Sequence, residues 1–209
     1  MCKELIKIRE FLAKDSFDGF TSDDLFIKKF IKQGWGQDIA ALSNMAEGLR
    51  NIALTEPESK DEMAELIDQV IQRGVHRSVN PWKKPIDKVS DLGHFGYYLE
   101  HLNIILGCYQ LVGDDRYLDL NTRVTLHLRD ASLMQENAHA RLLPHVKMRW
   151  SADQAAIIYS IWLYDTNNGT TYADEPLQRW LAYMHESATH PETGLFITEV
   201  MGTKKYSEQ

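Results

Sequence analysis

The chain has 209 residues, 44% of them hydrophobic and 25% charged, with 30 acidic against 23 basic side chains and a net charge of −7. That length allows one domain, or at most two small ones, around a real core, and the acidic balance argues against nucleic-acid binding, which draws on clustered Lys and Arg. Two cysteines without a CxxC spacing exclude a structural zinc site, no apolar run approaches the roughly 20 residues of a bilayer span, and a charged N-terminus without a secretory apolar region makes the cytoplasm the default compartment.

Helical periodicity dominates the chain. Leu5, Ile8 and Leu12 form a first stripe, interrupted by Asp18-Gly19. Thr21, Ser22 and Asp23 suit the N-cap of a short helix carrying Leu25, Phe26, Phe30 and Ile31, which Gly34 and Gly36 stop. A stronger helix is predicted over 37–53, with Ile39, Leu42, Met45, Ala46 and Leu49 on its apolar face. A polar helix follows over 60–73, ended by Gly74. The segment to Ser90 holds Pro81 and Pro85 among His76, Arg77, Lys83, Lys84 and Lys88, and reads as a solvated basic loop. Asp91 is placed to cap a long apolar helix over 92–112, closed by Gly113-Asp114. Further helices are expected over 116–135, over 152–165 with Ser151 as cap, and over 174–187. An extended segment is expected at 195–200. The last residues, 201–209, read as a polar tail.

The helix starts repeat. Trp35-Gly36-Gln37-Asp38 opens one apolar helix, Asp91-Leu92-Gly93-His94 the next and Trp150-Ser151-Ala152-Asp153 the third. His94 follows Asp38 by 56 positions and Asp153 follows His94 by 59. Each apolar helix precedes a more polar one, so residues 35–200 read as three consecutive helical hairpins of one all-α domain, after N-terminal helices in 1–34. Apolar helices need covering on most sides and striped ones do not, which makes the first of each pair inner and the second outer. That is the plan of an α-solenoid or a closed α/α toroid.

The run Gly93-His94-Phe95-Gly96-Tyr97-Tyr98-Leu99-Glu100-His101-Leu102, the Trp150-Ser151-Ala152-Asp153 start and the Thr193-Gly194-Leu195 turn resemble bacterial (α/α)6 toroids. These include six-hairpin glycosidases and the linalool dehydratase/isomerase-like group. The resemblance implies a ring of six hairpins, of which this chain carries three, the N-terminal half. Either a second copy of the chain, as a homodimer, completes the ring, or the three hairpins stand open, or the other half has been lost. No cysteine role is carried over to Cys108, which reads as a small hydrophobe inside an apolar helix.

In a toroid the inner-helix N-termini surround one mouth of the central cavity and favour anionic groups there. Asp153, Asp38 and His94 are the candidate acid/base residues, and Trp150, Trp35, Tyr98 and His101 the candidate substrate-binding residues. Two carboxylates flanking a bond are what glycoside hydrolysis needs, and Trp faces stack on sugar rings. A structural reading stands beside each: Asp in a first helical turn is stabilising anyway, and a Trp before a helix can staple its start. His94, Tyr98 and His101 share one helix face at i, i+4 and i+7, with no HExxH or other metal-ligand pattern. No metal or cofactor is expected, nor a nucleic-acid or membrane partner. The reading is a hydrolase or lyase for a carbohydrate or other small neutral substrate. The alternative is a non-catalytic helical scaffold that binds a protein or peptide.

Overall fold

A computed structural model of the chain describes residues 6–8, 10, 37–144 and 147–201. The expectations for residues 11–36, including Trp35, and for the tail beyond Met201 fall outside the described residues. The described chain is mostly helical, and a two-stranded pairing is the only sheet within it, so the fold is all-α. In order come α1 (Gln37–Thr55), α2 (Lys60–Val75), α3 (Gly96–Val112), α4 (Leu118–Leu133), β1 (Met148–Trp150), α5 (Ser151–Asn168), α6 (Asp174–Ser187) and β2 (Glu199–Met201). Two compact units result. One holds the residues up to Asp91 together with Ile104–Leu118; the other holds Leu92–Asn103 and the residues from Asp119 onward.

In the first unit α1 and α2 form a hairpin. Ile39, Leu42, Ala46, Leu49 and Ala53 recur every three or four residues and are buried, facing Met63, Leu66, Ile67, Val70 and Ile71 of α2. Each large aliphatic side chain buried this way contributes about 2 kcal/mol. Asn44, Gly48 and Asn51 of α1 stay exposed, so this helix carries one stripe rather than an all-round apolar surface. Gly74 does not end α2. It lies inside the last turn, where a Cβ would stand 3.2 Å from Ile39 Cδ1, and serves close helix packing. The basic loop has a built interior. Asn80 is wholly buried, and its Nδ2 donates to Val75 O at 2.7 Å and to Lys84 O at 3.1 Å. Ile86 and Val89 are buried while Arg77, Lys83, Lys84 and Lys88 remain exposed.

The second unit is held by buried polar links as well as by apolar packing. Asn103, fully buried, donates to Ser160 Oγ of α5 at 3.1 Å and accepts from Thr125 Oγ1 of α4 at 3.1 Å. Gln154 of α5 donates to Ser132 Oγ at 3.0 Å and accepts from Ala140 N at 2.9 Å, which ties the 137–142 segment to α4 and α5. Each such buried group is costly if left unpaired, so these links fix how the helices meet. Asp165 organises the α5–α6 turn by accepting from Tyr172 N at 3.0 Å and Ala173 N at 2.8 Å. Gly169 takes the left-handed C-cap there, at φ +67°.

Helix α3 starts at Gly96, four residues later than the periodicity suggests, because Gly93 (φ +62°) and His94 form a turn. Asp91 is therefore not its cap. Ser151 does not cap α5 either; its Oγ donates to Ile197 O at 3.2 Å. Part of the segment expected to be extended becomes β2, antiparallel to β1, with Arg149 opposite Val200 and Trp150 opposite Glu199.

Candidate functional site

The second unit brings several chemistry-bearing side chains together where the first two turns of α3 and the first turn of α5 carry them. Glu100 of α3 is 1% exposed, and its Oε2 meets no N–H or hydroxyl donor. Its carboxyl instead hydrogen-bonds to the carboxyl of Asp153, in the first turn of α5. Two carboxyl oxygens can bond to each other only if one bears a proton. Burial, the neighbouring Asp153 charge and this hydrogen bond all push Glu100 well above the usual carboxylate range. Asp153 is also raised by burial, but the bond from Glu100 and its own backbone N–H pull it back down. Both carboxyls are thus raised, Glu100 the more strongly of the two.

Tyr97 and His101 stand beside the pair. Tyr97 is pushed up to about 12 by burial and by the neighbouring carboxyl groups of Glu100 and Asp153. Its ring meets His101 edge-on, with centroids 4.9 Å apart. His101 Nε2 lies 3.7 Å from Glu100 Oε1, and its Nδ1 has no partner. Burial lowers His101 to about 4, so the imidazole is neutral at physiological pH. Gly96 lets this corner close. Its N–H donates to Arg141 O at 3.0 Å, and Tyr97 N donates to Leu142 O at 3.3 Å.

The other expected site residues are distributed differently. His94 is exposed in the turn before α3, so it does not share a helix face with Tyr98 and His101. Tyr98 is 6% exposed and raised by burial. Trp150 is half-buried and donates from Nε1 to Glu199 Oε1 at 3.1 Å across the strand pair. Asp38 belongs to the first unit. Its Oδ1 is buried without a partner, and burial raises its carboxyl against the pull of Lys83. Glu100 was not singled out by sequence reasoning. The signal was there: one carboxylate near the start of the Tyr97–Val112 run, which holds no other.

The first unit has a cleft of about 530 Å³, lined by Asp61, Glu65, Asp68, Tyr109, Asp114 and Arg116 among others. Several of its polar groups answer one another. Arg116 pairs with Asp68 at 3.1 Å and with Asp114 at 3.4 Å, and Tyr109 donates to Asp114 at 3.2 Å. Among the described residues no group of three His, Cys, Asp or Glu could hold a metal ion, and no helix is long and apolar enough to cross a membrane. Cys108 is buried, and burial pushes its thiol up to about 12, which leaves it inert. No protein-family model matches the chain.

Proposed function

We propose that the chain is a hydrolase or lyase that works by carboxyl acid/base chemistry, with Glu100 as the acid and Asp153 as the base. One observation carries the reading: a wholly buried glutamic acid that meets no donor at Oε2 and has the carboxyl of Asp153 as its neighbour. Structural carboxylates are ordinarily satisfied by cations or backbone N–H groups. A directly bonded pair holding one proton is the arrangement that aspartic-protease dyads use to activate water.

The chemistry balances in either form. In hydrolysis Asp153 takes a proton from water as its oxygen attacks, and Glu100 gives its proton to the departing oxygen. In elimination Asp153 takes the proton from carbon while Glu100 protonates the leaving hydroxyl, which departs as water. Either way the proton ends on Asp153, and the hydrogen bond between the two returns it to Glu100. A small neutral substrate such as a carbohydrate fits, because Asp153 already carries a negative charge and His101 supplies no positive one. We assign Tyr97 and His101 to positioning the substrate. Asp38 and His94 have no part in this pair.

The test is turnover on a panel of neutral glycosides and hydroxy compounds by the whole chain and its Glu100→Gln and Asp153→Asn variants. Each variant is expected to lose about 10²–10⁴-fold in kcat with its circular dichroism unchanged. Full turnover by both variants would sink the reading. The three successive helix pairs support, within the same proposal, half of a toroid closed by a second copy; a monomer by light scattering at working concentration would oppose it. A scaffold role is favoured by one observation: Leu177, Leu181, Leu195 and Phe196 are exposed in the second unit. If no substrate is turned over, that surface is the place to look for a protein partner.

A further inference from the structure

Helix α2 divides the charge of the first unit. Residues 56–68, which lead into the helix and form its first half, carry six carboxylates against Lys60. Residues 76–88, which follow its last turn, carry four cations against Asp87. The helix macrodipole favours such a division, but only within the first and last turns. Glu65 and Asp68 lie beyond the first turn, and Lys83, Lys84 and Lys88 stand outside the helix. The macrodipole therefore leaves most of the division unexplained.

The acidic end is a built cleft. Asp61, Glu65 and Asp68, at i, i+4 and i+7 of α2, line it together with Tyr109, Asp114 and Arg116. The guanidinium inside is already matched. Arg116 lies 3.1 Å from Asp68 and 3.4 Å from Asp114, and Asp114 also accepts from Tyr109 Oη at 3.2 Å and Arg116 N at 2.9 Å. Asp61 and Glu65 are exposed to the cleft's solvent, and among the described residues no cation stands within ion-pair distance of either. Lys60, which also lines the cleft, pairs with neither. At about 530 Å³ the cleft has room for a long basic side chain.

The basic end is held in place and unanswered. Asn80 Nδ2 donates both to Val75 O at 2.7 Å and to Lys84 O at 3.1 Å, which keeps Lys84 at the C-terminal end of α2. Arg77 and Lys84 are exposed, with no carboxylate within ion-pair distance among the described residues. Lys83 donates to Ser78 O at 3.1 Å, and Lys88 pairs with Asp87 at 3.3 Å. Within one chain the two ends lie apart. At 1.5 Å per residue, Glu65 and Asp61 are about 15 and 21 Å along the helix from Val75.

We propose that a second copy of this chain docks on α2 about a two-fold axis, helix antiparallel to helix, with Arg77 and Lys84 of each copy reaching the Asp61–Glu65 cleft of the other. Charge complementarity selects this occupant. A basic partner would answer the cleft alone and an acidic partner the loop alone, whereas a second copy answers both, and the two-fold axis makes the same contact twice. Exposed ion pairs are individually weak and screened by salt, so the dimer is one that salt dissociates. The proposal concerns the first unit only and does not rest on the Glu100–Asp153 reading.

The test is sedimentation velocity of the full chain at low and at high ionic strength, on wild type and on two surface variants. A dimer is expected at low ionic strength and a monomer at high. Asp61→Lys with Glu65→Lys, and separately Arg77→Glu with Lys84→Glu, should each raise the dimer Kd about tenfold or more, because like charges then face each other. Mixing the two variants should restore association, since each reversed end then meets its opposite on the other copy. All four positions are exposed, so folding is not at stake. A monomer at low ionic strength would overturn the proposal. So would a dimer indifferent to salt and to both variants, which would place the contact on another face and leave ring closure standing. A mixture of the variants that fails to associate would overturn it as well.

Discussion

Replacing Gly96 with alanine tests how the acid pair is framed. A Cβ at Gly96 would lie 2.5 Å from Arg141 O, 3.2 Å from Arg141 C and 3.4 Å from Leu142 Cα. The nearest atom is backbone, so no side-chain rotation relieves it. The 137–142 segment has to move away, and the Gly96 N–Arg141 O and Tyr97 N–Leu142 O bonds, at 3.0 and 3.3 Å, go with it. Two backbone bonds at about 1 kcal/mol each and overpacking at about 1–3 kcal/mol outweigh the gain of about 0.5–1 kcal/mol from removing a helical glycine. The net expectation is a loss of about 2–4 kcal/mol. Urea unfolding followed by tryptophan fluorescence measures it, since Trp150, Trp162 and Trp180 all report on the second unit. Gly48→Ala is the control. That exposed site in α1 has nothing within 4 Å of the new Cβ, so it should gain about 0.5–1 kcal/mol. A neutral or stabilising Gly96→Ala would refute the close approach that holds Tyr97, Glu100 and His101 in place.

The two buried histidines should resist protonation. His101 and His139, each lowered to about 4, remain neutral by imidazole NMR down to about pH 5. The unfolded chain takes up protons below about 6.5 that the folded chain refuses, so stability is lost as pH falls from there towards 4, by up to about 3 kcal/mol per residue. Glu100 acts in the opposite direction. Its carboxyl is raised when folded, so stability declines as pH climbs above the unfolded value of about 4.5. Glu100→Gln should flatten that decline and be at least as stable as wild type at neutral pH; a steeper decline in the variant would contradict a protonated Glu100. Mass spectrometry after treatment with a thiol reagent should find the Cys108 peptide unmodified in the native chain and modified only in denaturant.

Much of the architecture is written locally, and that part was legible. The striped pair α1 and α2 follows from apolar spacing, and α6 spans the residues that periodicity predicts, although Leu177 and Leu181 of its expected stripe are exposed. The start of α3 was not, because Leu92 continues the apolar pattern while the Gly93–His94 turn breaks the helix without any change in hydrophobicity. The β1–β2 pair was missed for another reason. Three-residue strands carry almost no periodic signal, and their partners lie about 50 positions apart. For the site, Asp153 was singled out from its place at a helix start and His101 from the face it was expected to share with His94 and Tyr98. Glu100 escaped because its meaning depends on burial beside Asp153, which no local pattern encodes.

The most direct measurement is a ¹³C NMR titration of the Glu100 and Asp153 side-chain carboxyls, in the wild-type chain and in Asp153→Asn. The acid/base account predicts that Asp153 ionises first and that Glu100 keeps its proton well above the ordinary carboxylate range. Removing the Asp153 charge should then lower the Glu100 midpoint. Two carboxyls that both titrate near pH 4, each indifferent to the other's removal, would contradict it.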